Sequence, residues 1–196
     1  MLQHGYFDKR FGLIILASAS PRRAQILSQI GFNFKVIPST VEEVFSNHDP
    51  REVAKELAAR KAEEIAESNQ DSIVIGADTV VFLENRILGK PSSGLEAQEM
   101  LRLLSGKTHV VYTAFAILQK CKNKRIVDLE TTEVTFRNLS DDEIISYVQT
   151  GSPLDKAGAY GIQDQSAVFV EKIKGDFYNV VGLPISKIYS YLKEKF

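Results

Sequence analysis

Ser18-Ala19-Ser20-Pro21-Arg22-Arg23 follows directly on the apolar run Leu13-Ile14-Ile15-Leu16, which puts two hydroxyls and two guanidinium groups at a strand-to-helix corner. Ser20 is placed to cap the helix and Pro21 to open it, leaving backbone N–H groups and the positive end of the helix dipole facing the loop. A phosphate chain would be stabilised there, and Arg22 and Arg23 add planar donors that match its oxygens. The same residues also read as a capped helix with two solvated arginines. A third reading takes Lys9-Arg10, residues 11–17 and Ala17-Ser18-Ala19 as a short secretory leader with its cleavage site. The apolar periodicity runs on through Ala24, Ile26, Leu27 and Ile30 to Gly31, so strand, turn and helix account for more residues.

Other polar residues break the pattern around them, and such breaks mark sites. Lys61 lies on the apolar stripe Val53, Ala54, Leu57, Ala58, Ala62, Ile65 of a helix. A lysine there either snorkels to the edge or reaches a cavity that holds negative charge. Asp78 follows the apolar strand Ile73-Val74-Ile75 within Gly76-Ala77-Asp78-Thr79, where it either presents a carboxylate to a ligand or caps a turn. Glu42-Glu43 offers a second carboxylate past another strand; two carboxylates from separate loops suit a hydrated magnesium ion that bridges phosphates, whereas alone the pair reads as a solvated face. Lys90, between Gly89 and Pro91, is a rigidly placed cation or a solvated one. In Asp155-Lys156-Ala157-Gly158-Ala159-Tyr160-Gly161-Ile162-Gln163 the small residues allow close backbone approach and Gln163 can both donate and accept. That run either reads a base edge or packs Tyr160 into the core with Gln163 wet. Asn179 to Pro184 reads as a plain connection.

These residues need a scaffold of short, closely joined elements. Residues 34–37 read as a strand stopped by Pro38, and Asp49-Pro50-Arg51-Glu52 opens a helix to about residue 69. A short strand over residues 72–75 ends in the Gly76 turn, and residues 80–83 with a turn at Glu84-Asn85-Arg86 form a hairpin. A helix over 95–104, a long antiparallel pair over 109–118 and 125–136, and a capping box at Ser140-Asp141-Asp142-Glu143 follow. Residues 167–173 and 177–181 read as a hairpin turning at Gly175-Asp176, ahead of a last helix.

With 196 residues, 44% of them hydrophobic, the chain can bury a sizeable core as one unit or two small lobes. Its 24 basic and 25 acidic residues nearly cancel, which argues against a nucleic-acid surface and leaves any polyanion to a local patch. Cys121 is the single cysteine; it excludes an intrachain disulfide and fits a reducing cytoplasm. No apolar run approaches a membrane span, so no membrane partner is expected.

Taken together, Ala17 to Arg23, Glu42-Glu43, Leu57 to Ala62, Gly76 to Thr79, Gly89-Lys90-Pro91, Leu104-Ser105-Gly106-Lys107-Thr108-His109, Asp155 to Gln163 and Val180 to Pro184 resemble, in order, the motifs of the Maf-type nucleoside triphosphate pyrophosphatases. The resemblance covers residues 13–196 and leaves residues 1–12 as an N-terminal extension. It implies an α/β fold, an elongated mixed sheet in two lobes around a central cleft as in inosine triphosphate pyrophosphatase, often as a homodimer. It implies release of pyrophosphate and a nucleoside monophosphate, with a divalent metal as cofactor, magnesium first and manganese or cobalt as alternatives. Ser18, Arg23, Lys61 and Lys90 match phosphate ligands, Glu43 a metal carboxylate, and Asp78 a proton acceptor or second metal ligand. Arg22, Thr79 and Gln163 match the subgroup acting on dTTP and UTP, with modified pyrimidine nucleotides as further candidates. Ser152 stands where many members carry an acid. A nucleotide-binding regulatory module linked to cell-division arrest would use the same phosphate cradle without turnover but would not need paired carboxylates, and a scaffold protein would need an exposed apolar patch or charged tail.

Overall fold

A computed structural model of the chain describes residues 10–44 and 49–196. Residues 1–9, most of the expected extension, lie outside the described residues. The chain divides into two compact units, the first made of the residues up to Asp78 with Thr113–Leu129 and Gly182–Phe196, the second of Thr79–Tyr112 and Glu130–Val181. Among the described residues Phe34–Val36, Ile14–Ala17, Ile73–Leu83, Thr108–Gln119, Lys124–Phe136 and Val170–Lys174 are neighbours in that order in one mixed sheet, with Arg86–Leu88 paired to Ile73–Leu83.

In the first unit, β1 (Ile14–Ala17), α1 (Pro21–Gln29), β2 (Phe34–Val36), α2 (Pro50–Glu67) and β3 (Ile73–Leu83) follow one another. Of the run read alternatively as a leader, residues 14–17 form β1, buried along its whole length. It pairs parallel to both β2 and β3, with Ala17 level with Gly76. Parallel strands of this kind present their carboxyl ends to ligands. Ile15, Ala17 and Val74 pack with Ala59, Ala62, Ile65 and Ala66 of α2 and with Ala116 and Leu118 of β5 (Thr108–Gln119). The alanine-rich face of α2 lets helix and strand approach unusually closely. A Cβ at Gly76 would stand 2.6 Å from the Ala58 carbonyl oxygen and 2.7 Å from the Ala62 nitrogen.

That approach also corrects the expected break after Ile75, because β3 runs unbroken through Gly76-Ala77-Asp78-Thr79 to Leu83. Gly76 is there for packing against α2, not for a turn. Asp78 therefore sits inside a strand, on the same face as Gly76 by the two-residue period. The corner before α1 differs as well: Ser20 is the N-cap by position, but its side chain makes no capping bond.

The second unit holds the end of β3, β4 (Arg86–Leu88), α3 (Gly94–Leu104), the start of β5, most of β6 (Lys124–Phe136), α4 (Asp141–Gln149), β7 (Val170–Lys174) and α5 (Phe177–Val181). The capping box at Ser140 and Glu143 is formed. The second expected hairpin is absent: β7 pairs antiparallel with β6, and residues 177–181 are helical. The Asp176 carboxylate accepts from the Tyr178 N–H at 2.7 Å, and Asn179, fully buried, donates to the Val111 carbonyl and to Thr132 Oγ1. Those local bonds outweigh the β-propensity of Phe-Tyr-Asn-Val-Val. The chain closes on α6 (Ile185–Lys195) in the first unit, which buries Ile188 and Leu192. No helix among the described residues is long and apolar enough to cross a membrane.

His109 is 1% exposed in the second unit, edge-on to Phe136 and Tyr160, with Nε2 2.8 Å from the Tyr160 hydroxyl. Burial pushes its pKa down from 6.5 to about 4. Folding therefore favours neutral His109, a contribution fully present above pH 6.5 and lost as pH falls from 6.5 towards 4. Two outcomes follow from this packing. Between pH 7 and 4 urea unfolding should reveal a loss that includes about 3 kcal/mol from His109, and His109→Gln should flatten that part of the profile. Gly76→Ala should lower stability at pH 7 by roughly 1–3 kcal/mol through overpacking against α2, read as a lower urea midpoint at unchanged m-value.

Candidate active site

In the first unit, the chain just past β1, the stretch beyond β2 and the interior of β3 each deliver predicted residues. Ser18 follows β1, the chain past β2 leads to Glu42 and Glu43, and Asp78 lies two residues beyond Gly76, the register partner of Ala17. Lys61 comes from α2, the helix that covers Gly76.

Lys61 resolves the choice between snorkelling and burial: it is buried, and its Nζ lies 2.6 Å from Asp78 Oδ1 and 2.7 Å from Glu43 Oε1. Of the two adjacent glutamates, it is Glu43 that meets this ammonium. The side chains of Lys61 and Asp78 are each 10% exposed, while that of Glu43 is 44% exposed. The buried charge is thus matched by one buried and one accessible carboxylate, as desolvation demands. Burial pushes the Asp78 carboxyl above the usual carboxylate range, opposed by the charges of Lys61 and Arg23. A carboxylate so raised is a better proton acceptor at neutral pH.

Arg23, one residue from half-buried Arg22, turns inward from the first turns of α1. Its Nε donates to the Gly182 carbonyl at 2.7 Å and its Nη1 to Ser18 Oγ at 3.0 Å. The Ser18 hydroxyl also accepts from the Ser20 N–H at 3.2 Å. Burial pushes the Arg23 guanidinium down while Asp78 and Glu43 draw it up, so the cation and the two carboxylates feel one another electrically. The Gly182 carbonyl is a partner that the sequence did not indicate. Gly182 has φ of 115°, a backbone state that side chains rarely adopt, so glycine here aims the carbonyl.

In the second unit, Thr79 is half-buried beside Asp78 in the chain, and Lys90 is exposed. The Gly158 N–H donates to the Gly89 carbonyl at 3.0 Å, which ties the loop of Lys90 to the run that carries Gln163. A Cβ at Gly158 would stand 3.0 Å from Val81, and its φ is 68°. Tyr160 is buried and Gln163 exposed. The turn bearing Gln163 is held by fully buried Ser166, whose hydroxyl accepts from the Gly161 N–H and donates to the Gly161 carbonyl, each at 2.9 Å. Ser152 donates to Asp164 at 3.0 Å, and buried Lys156 lies 3.4 Å from the same carboxylate. Ser166 and Asp164 were not legible as supports, since single polar residues in loops carry no periodic signal.

Glu43 and Asp78 are hard oxygen donors converging on one cation, a donor set that fits magnesium, which takes one or two carboxylates together with water and phosphate oxygens. Among the described residues no group of three or more His, Cys, Asp or Glu side chains is placed to hold a metal.

Comparison with known proteins agrees with this picture. Proteins named dTTP/UTP pyrophosphatase from Bacillus cereus (strain AH820) and Bacillus anthracis are each 53% identical over 182 residues, covering 92% of this chain and 94% of the relative. The structure of the Staphylococcus aureus Ham1 protein matches the fold with a TM-score of 0.55 at 16% identity, over 94% of this chain and 100% of the other. The model of the Maf-like protein family matches residues 13–195, and the chain belongs to that family.

Proposed function

We propose that this chain is a nucleoside triphosphate pyrophosphatase that hydrolyses dTTP and UTP, modified pyrimidine nucleotides included, to the monophosphate and pyrophosphate. The observation that carries the reading is the Lys61 ammonium held between buried Asp78 and accessible Glu43, with a second buried cation, Arg23, donating to Ser18 and Gly182. The names of relatives about half identical over 92% of the chain support the same substrate.

Asp78 accepts the proton of the water that attacks the α-phosphorus, a task suited to a carboxyl whose pKa is raised by burial. Lys61 orients that carboxylate and offers its remaining donor capacity to phosphate oxygens. Ser18, Arg23 and Lys90 hold the triphosphate chain, and Arg22, Thr79 and Gln163 set the choice of base. Glu43 would hold the magnesium, with Asp78 as its second ligand where Asp78 does not serve as the base, and the ion would supply neutralisation of charge on the phosphate oxygens. We further assign the protein a homodimeric state and a cytoplasmic location; its single cysteine, exposed Cys121, suits a reducing compartment.

Incubation with magnesium and a panel of nucleoside triphosphates should release pyrophosphate from dTTP and UTP, with Asp78→Asn lowering kcat by roughly 10²–10⁴-fold and leaving nucleotide binding measurable. Tight binding without turnover would favour the regulatory module, and free phosphate as the only inorganic product would place the cleavage at another bond. Arg23→Lys keeps the charge but loses the planar fork, so KM should rise with a smaller effect on kcat; lost stability at unchanged KM would make Arg23 a structural residue only.

A further inference from the structure

Glu43 belongs to a stretch with no regular secondary structure, residues 37–44, yet its carboxylate meets a buried ammonium at 2.7 Å. No helix or strand fixes that stretch, and 44% of the Glu43 side chain faces solvent. Two other side chains of α2 supply the constraint. Arg60 donates from Nη1 to the Val44 carbonyl at 2.8 Å and from Nη2 to the Glu42 carbonyl at 3.1 Å. One planar guanidinium thus brackets Glu43 by the carbonyls on either side of it. Arg60 also lies 3.7 Å from Glu56, one turn earlier, which steadies its position.

Glu64, one turn after Arg60, holds the start of the stretch. Its carboxylate accepts from the Ser39 and Thr40 hydroxyls, both at 2.5 Å, and from the Thr40 N–H at 3.0 Å. The Ser39 hydroxyl accepts in turn from the Val41 N–H at 3.2 Å. Residues 39–44 therefore lie along α2 with three anchors at Glu64, Lys61 and Arg60, in the order Ser39/Thr40, Glu43, then Glu42 and Val44. These ties bring down the Glu64 pKa, the Ser39 and Thr40 hydrogen bonds being the main cause.

We propose that Arg60 and Glu64 are positioning residues that clamp residues 39–44 onto α2 and so deliver the Glu43 carboxylate to Lys61 and to the magnesium site. Neither residue touches the reacting groups; both act through Glu43. The inference rests on the pyrophosphatase reading for its kinetic consequence and on the hydrogen bonds alone for its structural one.

The test compares Arg60→Met and Glu64→Gln, each alone and in a Glu43→Gln background, by magnesium titration of dTTP turnover, by hydrogen exchange and by thermal melting. In the native background each substitution should raise the magnesium concentration for half-maximal rate by roughly tenfold, as loss of outer-shell support does. Exchange at Thr40 should quicken in Glu64→Gln, since its N–H is the one donated. In the Glu43→Gln background the magnesium response should be the same with or without Arg60→Met, which a general loss of stability would not produce. A shifted melting temperature with an unchanged magnesium response, or an equal effect in both backgrounds, would overturn the proposal. If the native protein turns over no nucleotide, the pyrophosphatase reading fails while exchange decides the clamp: quickened exchange supports it and unchanged exchange overturns it.

Discussion

One buried ammonium sets the terms for the first unit. Lys61 projects from the alanine face of α2 towards β3, and a charge held there must find anionic partners or be neutralised. Asp78 satisfies it from inside the strand and Glu43 from the chain beyond β2. Each partner imposes a condition elsewhere. Asp78 can reach the ammonium only if α2 lies almost on β3, and that closeness demands glycine at position 76 and small residues at 58 and 62. Glu43 can reach it only if an irregular stretch is tied down, which Arg60 and Glu64 do with hydrogen bonds to its backbone and hydroxyls.

Such a group is poorly chosen for stability alone. Replacing a buried ion pair with packed apolar side chains is often neutral or stabilising, so a lysine set among Val53, Ala54, Leu57 and Ala58 points to chemistry rather than to folding energy. Arg23 follows the same logic at the start of α1. Its guanidinium is almost fully covered and donates to a serine hydroxyl and a peptide carbonyl. The cation is thus held in place where the charges of Asp78 and Glu43 act on it. The second unit adds neutral devices to its own buried ammonium, Lys156, which lies 2.6 Å from Asp155 and 3.4 Å from Asp164. Gly158, Ser166 and Tyr160 fix the run leading to Gln163 through close packing and single hydrogen bonds, with His109 kept neutral by its burial.

Much of this was legible in the sequence because the signals were violations of pattern. Lys61 on an apolar stripe, Asp78 at the end of an apolar run and serine with two arginines after a buried strand each announce themselves by type and place. Contacts through the backbone leave no such mark, which is why the Gly182 carbonyl under Arg23 and the carbonyls under Arg60 were not foreseen. Local turn chemistry misled twice. Gly76-Ala77-Asp78-Thr79 has the composition of a turn, but the close approach of α2 requires the glycine within a continuous strand. Residues 177–181 have the composition of a strand, but the Asp176 cap and the buried Asn179 amide make them a helix. The choice between Glu42 and Glu43 could not be made from spacing, since adjacent residues share every local signal and only the path of the chain along α2 separates them.

The central claim is that this charged group delivers water to the α-phosphorus of a nucleoside triphosphate. Hydrolysis of dTTP in water enriched in oxygen-18, followed by mass spectrometry of both products, tests it most directly. One labelled oxygen should appear in the monophosphate and none in the pyrophosphate, with the labelled monophosphate falling by the same roughly 10²–10⁴-fold in Asp78→Asn. Label appearing in pyrophosphate would mean attack at the β-phosphorus and would contradict it.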